Sequence, residues 1–154
     1  MSNVVIMEYK NLEDDKELLV LNEPEVVYGH GQILSQVISA TRLGFTFDDI
    51  LKFQKTINKG LAGFAYILQI SLRTLQRYTP EKKLNTPQSE RLLEVSRMYG
   101  HGYEVFGSRK KFNQWMDVPN PALGGVTPFS LLDTRAGLEM VDDLIGRIEH
   151  GVLS

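Results

Sequence analysis

The side chains able to do acid–base, metal or nucleophilic chemistry are few and scattered. His30, His101 and His150 lie far apart, and none has a second histidine at helical ligand spacing. Each reads as a surface or capping residue rather than a metal ligand. The chain has no cysteine, which removes disulfides, zinc ribbons and thiol nucleophiles together. Asp48-Asp49 and Asp142-Asp143 are adjacent pairs, and neighbours on a helix point in different directions, so they make poor acid/base partners. Gly29-His30-Gly31 lacks the strand-to-helix setting of a phosphate loop, and no Gly-x-Ser-x-Gly or Walker pattern is present. The residues predict no catalytic group, no metal and no cofactor.

Binding chemistry is better represented. Residues 61–78 have the spacing of a helix-turn-helix. Ala65 is the small residue such a unit needs where its helices approach, and Phe64, Leu68, Ile70, Leu75 and Tyr78 are placed to lock the crossing. Ser71 is suited to cap the second helix. The outward positions of that helix carry Arg73, Thr74, Gln76 and Arg77, which with Ser71 form a candidate DNA-binding set for phosphates and purine edges. The turn position that favours glycine holds Gln69, at a cost on the order of 1 kcal/mol. The same apolar spacing would also satisfy an αα-hairpin buried for packing alone.

Charge is distributed unevenly around this unit. The 154 residues include 17 basic and 19 acidic side chains, a net charge of −2, with 42% hydrophobic residues. That is the composition of a folded chain. Residues 1–31 carry two basic and seven acidic groups, 32–72 four and two, 73–111 nine and four, and 112–154 two and six. A basic middle between acidic ends excludes a uniformly cationic nucleic-acid coat and leaves room for a local anion-binding face. Lys82, Lys83, Arg91 and Arg97 extend the block begun by Arg73 and Arg77, and Arg109-Lys110-Lys111 form a second cluster. No apolar run nears the ~18 residues needed to span a bilayer, and the start lacks a signal pattern, so a soluble cytoplasmic protein is expected.

The elements that must position these residues are helical, and an all-α fold is expected. The first 31 residues, broken at Glu23-Pro24-Glu25, suggest a mobile arm or a short strand-like lead-in. Ile33 to Thr41 has a helical period, and Gly44 stops it. Thr46-x-x-Asp49 is a capping box for a helix on Phe47, Ile50, Leu51, Gln54 and Ile57 that closes at Asn58 to Gly60. Helices are expected over Leu61–Leu68 and Leu72–Tyr78. Another starts at Thr86-Pro87, with Thr86 as its cap, and is weakened or kinked at Gly100 and Gly102. Ser108 caps a helix with Phe112, Trp115 and Met116, Thr127-Pro128 starts a short one, and Gly137 to His150 carries the last. Trp115 and the stripe Leu138, Val141, Leu144, Ile145 and Ile148 are expected in the core.

The C-terminal third is the most distinctive part. Trp115 is followed by Pro-Asn-Pro-Ala-Leu-Gly-Gly at 119–125, Thr127-Pro128-Phe129, Leu131-Leu132 and the closing Arg147-Ile148-Glu149-His150-Gly151. In this order and spacing, residues 45–151 resemble the Xre/MbcA/ParS antitoxins, whose partners are RES-domain toxins.

The resemblance implies an acidic N-terminal arm at 1–31, an Xre-like helix-turn-helix domain at 32–85 and a small helical toxin-binding domain at 86–154. It implies a non-enzymatic antitoxin of a type II system that obstructs the active site of a RES toxin, an NAD-consuming protein. Asn120, Pro121, Gly124, Gly125, Glu149, His150, Gly151, Leu153 and Ser154 become the candidate toxin contacts. It further implies a homodimer and repression of its own operon by operator binding, alone or with the toxin, since one short helix reads only a few base pairs. The alternative from the residues alone is a helix-turn-helix regulator with no toxin partner, its C-terminal part serving oligomerisation.

Overall fold

The computed structural model describes residues Val5–Met7 and Leu19–Asn22 as backbone elements, and 42–152 in full. The helix expected over Ile33–Thr41, most of the N-terminal arm, and Leu153 and Ser154 lie outside the described residues. Strands β1 (Val5–Met7) and β2 (Leu19–Asn22) pair antiparallel, with Ile6 opposite Val20 and Met7 opposite Leu19. From residue 42 onward the protein is helical, and the fold is all-α apart from this small pair.

Helix α1 (Phe47–Ile57) opens on the expected capping box. The Thr46 hydroxyl accepts from the Asp49 amide at 3.3 Å, and the Asp49 carboxylate accepts from the Thr46 amide at 2.8 Å. Asn58 ends it in the left-handed region at φ 52°. Helices α2 (Leu61–Leu68) and α3 (Leu72–Leu75) follow, separated by a turn at Gln69. The α3 helix is one turn long, shorter than the Leu72–Tyr78 expected. Thr79-Pro80 lies just beyond, and a residue before proline is pushed out of helical angles.

Helix α4 (Thr86–Phe106) is the longest element, and two expectations about it need correction. Its cap is Asn85, not Thr86. The Asn85 side chain accepts from the Gln88 amide at 2.9 Å, and the Gln88 side chain accepts from the Asn85 amide at 3.1 Å. The helix also runs unbroken through Gly100 and Gly102, both buried. The glycine at 102 makes room for a neighbouring ring instead of breaking the helix.

Ser108 caps α5 (Arg109–Met116), accepting from the Lys111 amide at 3.3 Å. Two short 3-10 helices, Pro121–Leu123 and Pro128–Leu131, lead to α6 (Arg135–Glu149). That last helix begins two residues before the expected Gly137 because Thr134 caps it, accepting from the Gly137 amide at 3.0 Å.

Buried side chains from Phe45 to Ile145 form one continuous cluster that crosses from α1–α3 to α4–α6. At its centre Tyr99 meets Phe53, Tyr103 and Phe112 edge to face, with centroids 6.0, 5.9 and 5.4 Å apart. Trp115 is half-buried and stacks on Phe112 at 5.6 Å, an anchor at the margin of the core. Leu138, Val141, Leu144 and Ile145 are buried as their spacing predicts, with Ile148 half-buried behind them. No helix among the described residues is long and apolar enough to cross a membrane.

Candidate functional site

Two surfaces hold the residues that the sequence singles out for binding. The first is the helix-turn-helix. Phe64, Ala65, Leu68 and Leu75 are buried at the crossing of α2 and α3, and Ile70 and Tyr78 pack against them. Gln69 takes the left-handed conformation (φ 56°) that the turn requires. Its side-chain amide donates back to the Tyr66 carbonyl at 2.8 Å, a local bond that a glycine could not make and that offsets part of the backbone cost.

Ser71 caps α3, accepting from the Thr74 amide at 3.0 Å, with the two hydroxyls 2.7 Å apart. Ser71, Arg73, Thr74, Gln76 and Arg77 are all exposed. Neither arginine is engaged in an ion pair among the described residues, so both guanidinium groups are available to an outside anion. Lys82 lies with its ammonium 5.7 Å over the Tyr78 ring. The second basic cluster is less open: the Arg109 guanidinium lies 6.0 Å from the Tyr103 ring centre, while Lys110 and Lys111 are exposed.

The second surface is built around Asn120. Its amide donates to the Val126 carbonyl at 2.9 Å, its carbonyl accepts from Leu123 and Gly125, and its side chain accepts from the Ala122 amide at 2.9 Å. These bonds close the 120–126 loop on itself. Leu123 is buried and ties it to the core, while Pro121, Gly124 and Gly125 remain exposed. Gly124 and Gly125 have φ of +76° and +80°, and a Cβ built on either would touch nothing within 4 Å. The glycines are therefore there for backbone angle, not for close packing within the chain. Val118 (57% exposed) and Val126 (41%) flank the loop and make its rim apolar, a feature the sequence reading missed.

Three further contacts were also missed. Lys59 lies 4.3 Å over the Phe129 ring and pairs with Asp117. Tyr66 stacks on the same Phe129 at 6.3 Å and donates to the Ser130 carbonyl at 2.5 Å. The first helix of the helix-turn-helix is thereby docked directly on the segment after the loop. Third, His101 stands between two carboxylates of α6, with Nδ1 2.9 Å from Asp142 and Nε2 3.2 Å from Glu149. Burial lowers its pKa, but the hydrogen bonds and charges of the two carboxylates outweigh this and raise it above its ordinary value. The spacing of Asp142 and Glu149, seven apart on one helical face, was a visible signal. Their histidine comes from another helix, and only tertiary packing supplies it.

A model of the antitoxin Xre/MbcA/ParS C-terminal toxin-binding domain matches residues 101–151. An antitoxin Xre from Photorhabdus laumondii is 38% identical over 114 residues, 73% of this chain and 76% of the relative. An antitoxin Xre from Yersinia enterocolitica is 33% identical over 120 residues, 77% of this chain and 81% of the relative. The chain belongs to the Xre antitoxin family. A protein from Sphingobium named Prs ADP-ribosylating antitoxin is 24% identical over 127 residues, 76% of this chain and 80% of that protein.

The toxin-binding match thus opens at His101 inside α4, takes in α5 and the Asn120 loop, and closes at Gly151 just after α6. A toxin is its partner. Of the residues the sequence singles out within that span, Pro121, Gly124 and Gly125 of the loop and Glu149, His150 and Gly151 after it are exposed, and Asn120 is half-buried.

Proposed function

We propose that this antitoxin neutralises a RES-domain toxin that consumes NAD, obstructing its active site with the Asn120 loop and residues 149–154. The observation that carries the reading is the span of the toxin-binding match, which encloses a preformed, exposed loop with an apolar rim. A loop closed by its own hydrogen bonds loses little conformational freedom on docking, so more of the contact energy reaches the complex. The Sphingobium relative is named for ADP-ribosylation, chemistry that draws on NAD, which agrees with an NAD-consuming target. The acidic end of the chain suits a basic pocket built for an anionic dinucleotide.

The same antitoxin represses its own operon in the cytoplasm as a homodimer or in complex with the toxin. Arg73, Gln76 and Arg77 meet the operator, with Ser71 and Thr74 at the start of the reading helix. Support comes from five exposed polar residues on α3 and its flanks, two of them arginines without ion pairs among the described residues.

Co-expression with a cognate RES-domain toxin tests the first part. Rescue of growth is expected, and failure of the pair to associate would sink it. For the second part, Arg73→Ala with Arg77→Ala should weaken operator binding and lower the salt slope by about one unit for each phosphate contact removed. Neutralisation should remain intact. Unchanged operator affinity would overturn the DNA-reading role.

A further inference from the structure

His101 links α4 to the last two turns of α6, and both of its ring nitrogens face carboxylate oxygens. A neutral imidazole has one N–H, so one carboxylate would then face a lone pair. Only the imidazolium donates to both. The charge around it favours that form. Glu94 and Arg97 of α4 and Arg135 and Glu139 of α6 line the adjoining groove with Asp142, and Arg135 is already paired with Glu139 at 3.1 Å. His150 stands 4.0 Å from the Glu149 carboxylate and is largely exposed. The carboxylates nearest the ring therefore outnumber the free cations.

Among the described residues, the end of α6 has few other ties. Gly146 lies between Asp142 and Glu149, with open space where its Cβ would be, and weakens the helix there. Among the described residues, the one core contact of the helix beyond Ile145 is the half-buried Ile148. His150 and Val152 are exposed.

We propose that His101 is a positioning residue for toxin binding. Protonated, it clasps Asp142 and Glu149 and fixes the end of α6 against α4; deprotonated, it releases one of them, and the toxin-facing turn loosens. This rests on the reading that residues 149–154 meet the toxin.

The test has two arms on the full chain. In the first, amide hydrogen exchange of 148–152, corrected for intrinsic rates, is followed between pH 6 and pH 8.5. Protection in the native protein should fall by about threefold or more across that range, as expected for a local opening. In His101→Gln it should be low and flat, and Glu149→Gln should also flatten it while leaving the bond to Asp142. Thermal unfolding confirms that each variant folds. A native pH profile in His101→Gln would overturn the clasp.

In the second arm, affinity is measured for a catalytically inactive form of the cognate RES-domain toxin. The native protein should bind about tenfold more tightly than His101→Gln at pH 6, a ratio fitting the loss of a charged hydrogen bond, and the two should converge at pH 8.5. Equal affinities at pH 6 would overturn the positioning role. If the exchange arm succeeds while affinity is unmoved, the clasp stands, and it is the placing of the toxin at 149–154 that fails.

Discussion

The ring of Phe112 occupies the space that any side chain at position 102 would need. A Cβ built on Gly102 lies 2.1 Å from Phe112 Cζ, and Phe112 is itself fully buried among Tyr99, Tyr103, Phe106 and Trp115. Helix propensity and packing thus pull in opposite directions at one residue. Alanine would favour the helix by about 1 kcal/mol. The ring cannot retreat, because its far side is packed too, and overpacking costs about 1–3 kcal/mol.

Gly102→Ala should therefore destabilise the protein despite improving the helix, by up to about 2 kcal/mol net. Gly146→Ala is the control. It lies inside α6 with nothing within 4 Å of its Cβ, so the propensity term acts alone and stability should rise by up to about 1 kcal/mol. Urea midpoints of the two variants should move in opposite directions. Movement in the same direction would show that the α4–α5 contact is looser than described.

A second core residue predicts a gain. The hydroxyl of Tyr99 is buried with no hydrogen-bond partner among the described residues. Burial, with smaller contributions from Tyr103 and Asp117, pushes its pKa well above the ordinary tyrosine value. The hydroxyl adds desolvation cost and no bond, while the ring makes the edge contacts. Tyr99→Phe keeps the ring and should stabilise by about 1 kcal/mol, read as a higher Tm. A lower Tm would mean the hydroxyl has a partner, such as a bound water.

Stability should also carry the signature of His101. Its folded pKa is raised above 6.5, so the folded state binds the proton more tightly than the unfolded state. The resulting stabilisation is fully present below pH 6.5 and is lost as pH rises through the folded value. The other two histidines are common to both proteins, so the informative quantity is the difference between native protein and His101→Gln. Urea unfolding should show that difference largest in mild acid and shrinking in mild alkali. A difference that grows with pH would reverse the assignment.

The parts legible in the sequence were those decided locally. Thr46 with Asp49, Ser71, Ser108 and Thr127 act as caps because a short polar side chain reaches an amide two or three residues on, wherever the rest of the chain lies. The crossing of α2 and α3 was legible because its lock is a fixed apolar spacing, and the Asn120 loop because glycine and proline announce backbone angles. What stayed hidden was decided at a distance. Gly102 looked like a helix breaker because its partner, Phe112, reaches it only through the α4–α5 turn. His101 looked solitary because its carboxylates are 41 and 48 residues away. Thr86 displaced Asn85 as the expected cap because both precede Pro87 and either could have served.

The Asn120 loop allows binding and folding to be separated. Gly124 and Gly125 hold positive φ, so alanine at either should cost on the order of 1 kcal/mol in backbone strain. The added methyl meets nothing in the free protein, since no atom lies within 4 Å of either Cβ position. Any loss of toxin affinity beyond that strain must therefore come from the partner's surface. Gly124→Ala and Gly125→Ala should fold with a modest drop in Tm and lose toxin binding by about tenfold or more, a further 1.4 kcal/mol. Asn120→Asp, which keeps the acceptor for the Ala122 amide, should retain more binding than Asn120→Ala, which removes it. If both glycine variants bind as the native protein does, the loop faces away from the toxin, and the contact must be sought on α6 instead.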